Sequence, residues 1–300
     1  MSKSAGSPDE HLLGVALVIL SALAFSLAGI LTKAITANTW TILCWRGLIG
    51  GLLIAGYAGW LGRRVPLRQR FRLGWQGWLL ASVGGLSSIA FVGSFKLTYV
   101  SNVAVIYAIA PFLAAALGWM IMREGFRRRT LIAALFSLLG IAIVFAGGVR
   151  AGSTVGDGLA LAMTFGCALY MVLIRRFRDS PVVLAAGVAG LQLFVVGWFV
   201  VDPLAVSRHD VLLLVLFGLA FAVATVLWTE GTRRIPAAES GLLGCAETPF
   251  AALLAWLLLA EVPPAASFLG GGIVLAAVLL HAGWDLRGGM ALRRQARART

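Results

Sequence analysis

Long apolar segments recur along the whole chain and constrain its fold more than any other feature. A helix rises about 1.5 Å per residue, so about 20 apolar residues cross the roughly 30 Å hydrocarbon core of a bilayer. Ten segments meet that requirement, at residues 11–33, 39–60, 74–96, 101–122, 130–148, 156–175, 181–201, 210–232, 238–260 and 265–285. They lack the alternating pattern of an outer-membrane barrel strand. We therefore predict an all-α membrane protein with ten transmembrane helices.

Composition agrees with the bilayer as solvent. Hydrophobic residues make up 60% of the chain and charged residues only 12%, whereas soluble domains carry about 25% charged residues. The first apolar segment, from Leu12 to Thr32, is longer than the core of a cleaved signal peptide, and we interpret it as the first span. The longest connection, residues 61–73, is too short to fold as a domain, so we expect the spans themselves to carry the function.

The basic residues lie mostly on one side of the predicted spans. Twenty of the 25 Lys and Arg residues fall in the N-terminal tail, the even-numbered connections and the C-terminal tail, whereas Lys33, Lys96, Arg150 and Arg208 lie on the other side and Arg46 lies within a span. Lys and Arg accumulate in cytoplasmic loops, so we predict that both termini are cytoplasmic. The net charge of +13 sits in short arginine clusters without interleaved aromatic residues, which argues against binding of nucleic acid.

The two halves of the chain repeat each other. Residues 110–119 read APFLAAALGW and lead to Glu124, and residues 248–256 read TPFAALLAW and lead to Glu261, with the Pro-Phe pairs 138 residues apart. Each half holds five spans, so equivalent helices point in opposite directions, as in many secondary transporters. We predict a first five-helix repeat at 11–148, a second at 156–285, and a basic cytoplasmic tail at 286–300.

With its Pro-Phe segment and terminal glutamate in both halves of ten spans, the chain resembles the drug/metabolite transporter superfamily. Its halves resemble EamA repeats from Leu12 to about Asp285, and its overall sequence is most similar to the YddG-type aromatic amino acid exporters. The resemblance implies a secondary transporter that exports amino acids, aromatic or neutral, across the bacterial inner membrane. A broad multidrug or metabolite carrier of the same fold is the alternative, and a membrane scaffold or sensor is the alternative from another class.

Pro111 and Pro249 lie about ten residues into the fourth and ninth spans. Proline removes a backbone hydrogen bond and clashes with the preceding turn, so we expect a kink at each. The symmetric placement favours a pair of hinges or gates for alternating access, and a static kink that shapes packing is the other interpretation.

Glu247 is the ionisable residue nearest the middle of a span, two positions before Pro249. Such residues are rare inside membranes and indicate function. Glu247 is predicted to bind a substrate ammonium or to carry a proton, the alternative being a protonated packing residue. Aromatic rings and hydroxyls suit a flat apolar substrate with a polar head, and the predicted pocket contains Tyr107, Phe91, Ser87, Ser88, Tyr170 and Trp228.

The other ionisable residues are predicted to serve structure. Glu230 and Glu239 lie near Arg233 and Arg234, which favours salt bridges, and Arg46 is expected to snorkel outward or to pair with a buried acid. Glu124 and Glu261 are expected to cap or pack helix ends. The sequence also separates its metal-ligating residue types: Cys44, Cys167 and Cys245 are far apart, and His11, His209 and His281 fall at span ends. We predict no metal, no cofactor and no enzymatic activity, and a monomer whose partners are a small-molecule substrate and the lipid bilayer.

Overall fold

The apolar segments fold into helices. The computed structural model describes residues 8–63, 72–98, 103, 106–107, 109–123, 128–145, 154–247, 249–250, 253–254, 257 and 269–281. Its helices are α1 (Pro8–Ala34), α2 (Thr39–Leu61), α3 (Gly74–Leu97), α4 (Ala110–Met122), α5 (Arg128–Phe145), α6 (Thr154–Arg176), α7 (Val182–Val200), α8 (Arg208–Thr232), α9 (Ala237–Gly244) and α10 (Leu269–His281). The described residues contain no strand, and the all-α prediction is confirmed. Glu124, Glu261 and the tail at 286–300 lie outside the described residues.

Several of these helices match the thickness of a bilayer. Among the described residues, five stretches are long and apolar enough to cross a membrane: Asp9–Leu27, Trp40–Leu61, Thr154–Arg176, Val182–Val200 and Arg208–Thr232. The outer surface carries large apolar side chains, among them Phe199, which is 84% exposed. A soluble monomer rarely exposes broad apolar patches, so this surface fits a lipid environment.

The helix pairs repeat with the two halves of the chain. Helix α1 packs against α8 and its equivalent α6 packs against α3, while α2 also contacts α8 and α7 contacts α3. Two further pairs, α2 with α7 and α4 with α9, each join a helix to its own equivalent. Advancing each label by five exchanges these contacts among themselves, as expected for two inverted five-helix repeats.

Glycines bring α2 and α7 into backbone contact. A Cβ atom added at Gly47 would lie 2.4 Å from the Gly190 carbonyl oxygen, and one added at Gly51 would lie 2.9 Å from the Gly187 carbonyl oxygen. Numbers rise along one helix as they fall along the other, so the two helices are antiparallel. Small residues at such crossings let backbones approach closely in membranes.

At one end of the bundle, threonine–aspartate pairs join the ends of antiparallel helices. The Thr36 hydroxyl, after α1, donates to Asp210 Oδ2 of α8 at 2.6 Å, and the Thr36 N–H donates to Oδ1 at 3.1 Å. The Thr98 hydroxyl, after α3, donates to Asp157 Oδ1 of α6 at 2.6 Å. At this end each threonine–aspartate pair therefore joins a helix of the first repeat to a helix of the second, and the two helix pairs are equivalent.

At the opposite end of the bundle, the partners of two glutamates confirm one predicted salt bridge and contradict another. Glu230 pairs with Arg233 at 3.2 Å and with Arg234, as expected. Glu239 instead contacts His11, at 3.1 Å between Oε2 and Nε2, and His281, at 3.6 Å between Oε1 and Nε2. The predicted pairing of Glu239 with the arginines is therefore wrong, because its fully buried side chain faces α1 and α10 rather than the end of α8.

Candidate substrate site at two helix breaks

The fourth and ninth spans are both interrupted near their middle. Ile106 and Tyr107 are helical, Ile109 forms a turn, and α4 begins at Ala110. In the other half α9 ends at Gly244, residues 245–246 form a turn, and the chain is helical again at Glu247. The ninth span is therefore two helical pieces rather than the single helix that its hydropathy suggests.

Proline explains the position of each break. A proline cannot donate the hydrogen bond that normally reaches the carbonyl four residues earlier, and its ring clashes with that carbonyl. The carbonyls concerned belong to Tyr107, four residues before Pro111, and to Cys245, four residues before Pro249. Both prolines are buried. Pro111 also packs against α9, since a Cβ atom added at Gly241 would lie 3.0 Å from the Pro111 Cα.

The two breaks face each other around Glu247. The Glu247 carboxylate lies within electrostatic range of the Tyr107 hydroxyl and of the Cys167 and Cys245 thiols. Its side chain is half-buried, and within the described part of the chain no hydrogen bond or ion pair holds it. A carboxylate that the described residues leave without a partner, within electrostatic range of a tyrosine hydroxyl, can accept a hydrogen bond from a ligand cation or take up a proton.

Two aromatic side chains, Trp228 and Tyr170, lie near residues that surround this carboxylate. The Trp228 ring faces Gly244 one turn before Glu247, where an added Cβ atom would lie 3.1 Å from the ring. Trp228 packs against three apolar clusters, one of which also includes Cys167, so it lies where the helices converge. The Tyr170 ring packs on Gly84 of α3, its hydroxyl lies beside Thr229, and Cys167 is within its electrostatic range.

The predicted residues of α3 have a different setting. The Ser87 hydroxyl donates to the Val83 carbonyl at 2.6 Å, and Ser87 packs so tightly on α6 that a Cβ atom added at Gly166 would meet it at 2.3 Å. Ser88 is half-buried, and Phe91 is 38% exposed. Of the predicted pocket, Glu247, Tyr107, Tyr170 and Trp228 come together, whereas the Ser87 hydroxyl is engaged within its own helix.

Several polar groups at this site were not predicted from the sequence. No site role was predicted for Cys167 and Cys245, yet both thiols lie within electrostatic range of Glu247. The one available signal was that Cys245 precedes Pro249 by four residues. Thr225, Thr229 and Thr232, all buried, share one face of α8, and their spacing of four and three residues was readable from the sequence.

Arg46 contradicts both of its predicted settings. It is only 8% exposed, so it does not snorkel, and its guanidinium stacks on the Phe221 ring at 4.4 Å rather than on an acid. Arginine within a membrane helix costs up to about 3 kcal/mol on insertion scales, and a desolvated cation–π contact contributes about 2 kcal/mol. The aromatic ring therefore offsets much of the free-energy cost of burying Arg46.

Across the described residues, no group of three His, Cys, Asp or Glu side chains is placed to hold a metal ion.

Comparison with known proteins gives consistent results. The sequence profile of the EamA-like transporter family matches residues 12–146 and 154–282. Protein RarD of Streptomyces exfoliatus is 25% identical over 251 residues, which cover 81% of this chain and 78% of that protein. An uncharacterized transporter of Bacillus subtilis, YyaM, is 25% identical over 177 residues, covering 54% of this chain and 58% of that protein. One solved structure superposes with a TM-score of 0.76 at 21% identity, over 90% of this chain and 98% of the other.

Proposed function

Because the chain belongs to the EamA-like transporter family, we propose that it is a secondary transporter that exports neutral or aromatic amino acids by alternating access. The facing helix breaks, with Glu247 between them, are the observation that carries this proposal. Substrate sites of secondary transporters lie at discontinuous helices near the bilayer midplane, where repeats meet. Tyr107 comes from one repeat and Glu247 from the other, as that arrangement requires.

Glu247 is the proposed partner of the substrate ammonium. An unpaired carboxylate in a membrane is expensive to ionise, and an amino acid brings the missing positive charge. Between substrates the same carboxylate holds a proton, which links export to proton entry. Trp228 and Tyr170 supply flat apolar walls for an aromatic side chain.

Pro111 and Pro249 are the proposed hinges. Each interrupts its span without a continuous ladder of hydrogen bonds, so the two pieces can tilt at low cost. Because Pro111 packs against Gly241 of α9, bending in one repeat is transmitted to the other. The same proposal places the protein in a bacterial inner membrane, as a monomer, with both termini and the tail at 286–300 in the cytoplasm and the two repeats at 11–148 and 156–285.

Counterflow in proteoliposomes tests the proposed substrate class. The panel contains neutral and aromatic amino acids, organic cations and nucleotide sugars, each supplied as a labelled tracer against an unlabelled internal pool. We expect exchange of amino acids, with phenylalanine among the fastest. Exchange of organic cations alone would overturn the amino acid assignment and favour the multidrug carrier. Exchange of nucleotide sugars alone would favour the metabolite carrier.

Glu247→Gln tests the role of the carboxylate, and Glu230→Gln is its matched control. Both changes remove one negative charge, but Glu230 is held by Arg233 and Arg234 at the end of α8. We expect Glu247→Gln to weaken amino acid exchange or to change its pH dependence, with Glu230→Gln close to the parent. Parent-like exchange by Glu247→Gln at every pH would overturn this assignment.

A further inference from the structure

The buried guanidinium of Arg46 carries hydrogen-bond donors that find no acceptor in the described part of the chain. Its Nε and Nη2 atoms are buried without a hydrogen-bond acceptor among the described residues. The side chain is more than nine-tenths buried, with Phe221 at 4.4 Å and Phe217 at 5.9 Å from the guanidinium carbon. The aromatic faces stabilise the charge but do not accept its in-plane N–H groups.

Two further buried hydroxyls, one on α1 and one on α8, lie about one helical turn from the Phe221 ring. Helices α1 and α8 are antiparallel, and the Phe25 and Phe221 rings meet edge to face at 6.3 Å. Ser21 is one turn from Phe25 and Thr225 is one turn from Phe221, in the direction that brings them opposite each other. Both hydroxyl oxygens are buried and lack a partner within the described part of the chain. A guanidinium and two hydroxyls therefore lie within about one helical turn of the Phe221 ring.

The acidic side chains described on α1 and α8 do not reach this place. On α8, Asp210 is bound to Thr36 at one end of the helix, and Glu230 is bound to two arginines at the other. On α1, the acidic residues lie in the first turn, about four turns away from Phe25. The donors are therefore left for a ligand that supplies negative charge and acceptor oxygens.

We propose that Arg46, with Ser21 and Thr225, forms a subsite for the carboxylate of the transported substrate. Arginine presents a planar fork of N–H groups that matches a carboxylate, and the surrounding phenylalanine rings provide an apolar wall. Arg46 lies in the first half of α2, and Trp228 follows Phe221 by two turns along α8 towards Glu247. The carboxylate subsite and the Glu247 carboxylate thus lie at two depths of the bundle, so a zwitterionic substrate that moves between them meets one charge of each sign.

This inference rests on the proposed function and is tested with three related compounds. L-phenylalanine carries both an ammonium and a carboxylate, L-phenylalaninamide lacks the carboxylate, and 3-phenylpropionate lacks the ammonium. Initial rates of uptake into proteoliposomes give KM for each. In the parent protein we expect a KM for phenylalanine at least about tenfold below that of its amide, because the amide cannot pair with Arg46.

Arg46→Gln removes the charge, and Arg63→Gln is the matched control. Arg63 follows the same helix and also stacks on an aromatic ring, that of Trp60 at 5.0 Å, but it lies at the surface of the bundle. We expect Arg46→Gln to raise KM for phenylalanine and 3-phenylpropionate about tenfold or more and to leave that of the amide unchanged. Arg63→Gln should leave all three unchanged. If Arg46 had a purely structural role, Arg46→Gln would instead change KM for all three compounds equally.

The outcomes separate the two proposals. If the parent moves none of the three compounds, the proposed function fails. If it moves phenylalanine but Arg46→Gln has the same KM, the amino acid assignment stands and the carboxylate subsite is refuted. If Arg46→Gln does not fold, two other measurements decide. Thr225→Val, which keeps the side-chain volume, should raise KM for phenylalanine, and the parent should have a lower KM for phenylalanine than for its amide. If Thr225→Val has the parent's KM and the parent does not distinguish phenylalanine from its amide, the subsite is refuted.

Discussion

The close crossing of α2 and α7 allows a sharp test of the packing. In Gly47→Ala, the new methyl carbon would lie 2.4 Å from the Gly190 carbonyl oxygen and 2.9 Å from the Phe194 nitrogen. Ordinary contact begins at 3.4 Å, so the methyl group is about 1 Å too close to an atom that cannot rotate away. The helices must separate, and overpacking of this kind typically costs about 1–3 kcal/mol.

Gly56→Ala is the matched control in the same helix. A Cβ atom at Gly56 meets nothing within 4 Å, and Gly56 is exposed. There the substitution should be neutral or should stabilise α2 by up to about 1 kcal/mol through helix propensity. The free energy of unfolding is measured for both variants in mixed detergent micelles. A loss for Gly47→Ala no larger than that for Gly56→Ala would refute the backbone contact between α2 and α7.

Three further predictions concern the ends and the centre of the bundle. Glu239→Ala should lower the free energy of unfolding by about 1–3 kcal/mol, because His11 loses its hydrogen-bond acceptor and the buried His281 loses the carboxylate beside it. Glu239→Gln, which keeps an acceptor oxygen, should lose less, and equal losses would refute the role of hydrogen bonding. Gly244→Ala should displace the Trp228 ring, 3.1 Å from the new methyl group, and change the tryptophan fluorescence spectrum, whereas an unchanged spectrum would contradict the contact. A reporter enzyme fused to the C-terminus should be active only in the cytoplasm, and periplasmic activity would overturn the predicted orientation.

Much of the fold was predictable because insertion of a helix into a membrane depends on the local composition of the chain. The ten apolar segments needed only a hydropathy pattern and a length, since the bilayer requires each span to satisfy its own backbone. The duplicated Pro-Phe pairs and the five spans in each half predicted an inverted repeat, and α2 with α7 and α4 with α9 pair accordingly. The breaks followed from proline chemistry at Pro111 and Pro249.

The candidate site was partly predictable for the same reason. Glu247 stood out because a carboxylate is rare in a span, and Tyr107 because it precedes Pro111 by one turn. The position of Cys167 and Cys245 near Glu247 could not be predicted, because a cysteine in an apolar segment is usually a packing residue and its neighbours in space are not known from the sequence. Ser87 was predicted to offer its hydroxyl to the substrate, but that hydroxyl is hydrogen-bonded within α3.

What the sequence determined by itself was therefore the number of spans, their duplication and the positions at which two of them break. Each of these depends on residues within one or two helical turns. The tertiary structure alone decided which side chains meet: Glu239 with His11, 228 residues away in the chain, and Arg46 with Phe221 of α8. Such pairs depend on the rotation and depth of whole helices, which are fixed by the sum of many weak packing contacts. The residues next to a charged residue in the sequence do not determine how the helices pack. Its partner is therefore known only from the packed structure.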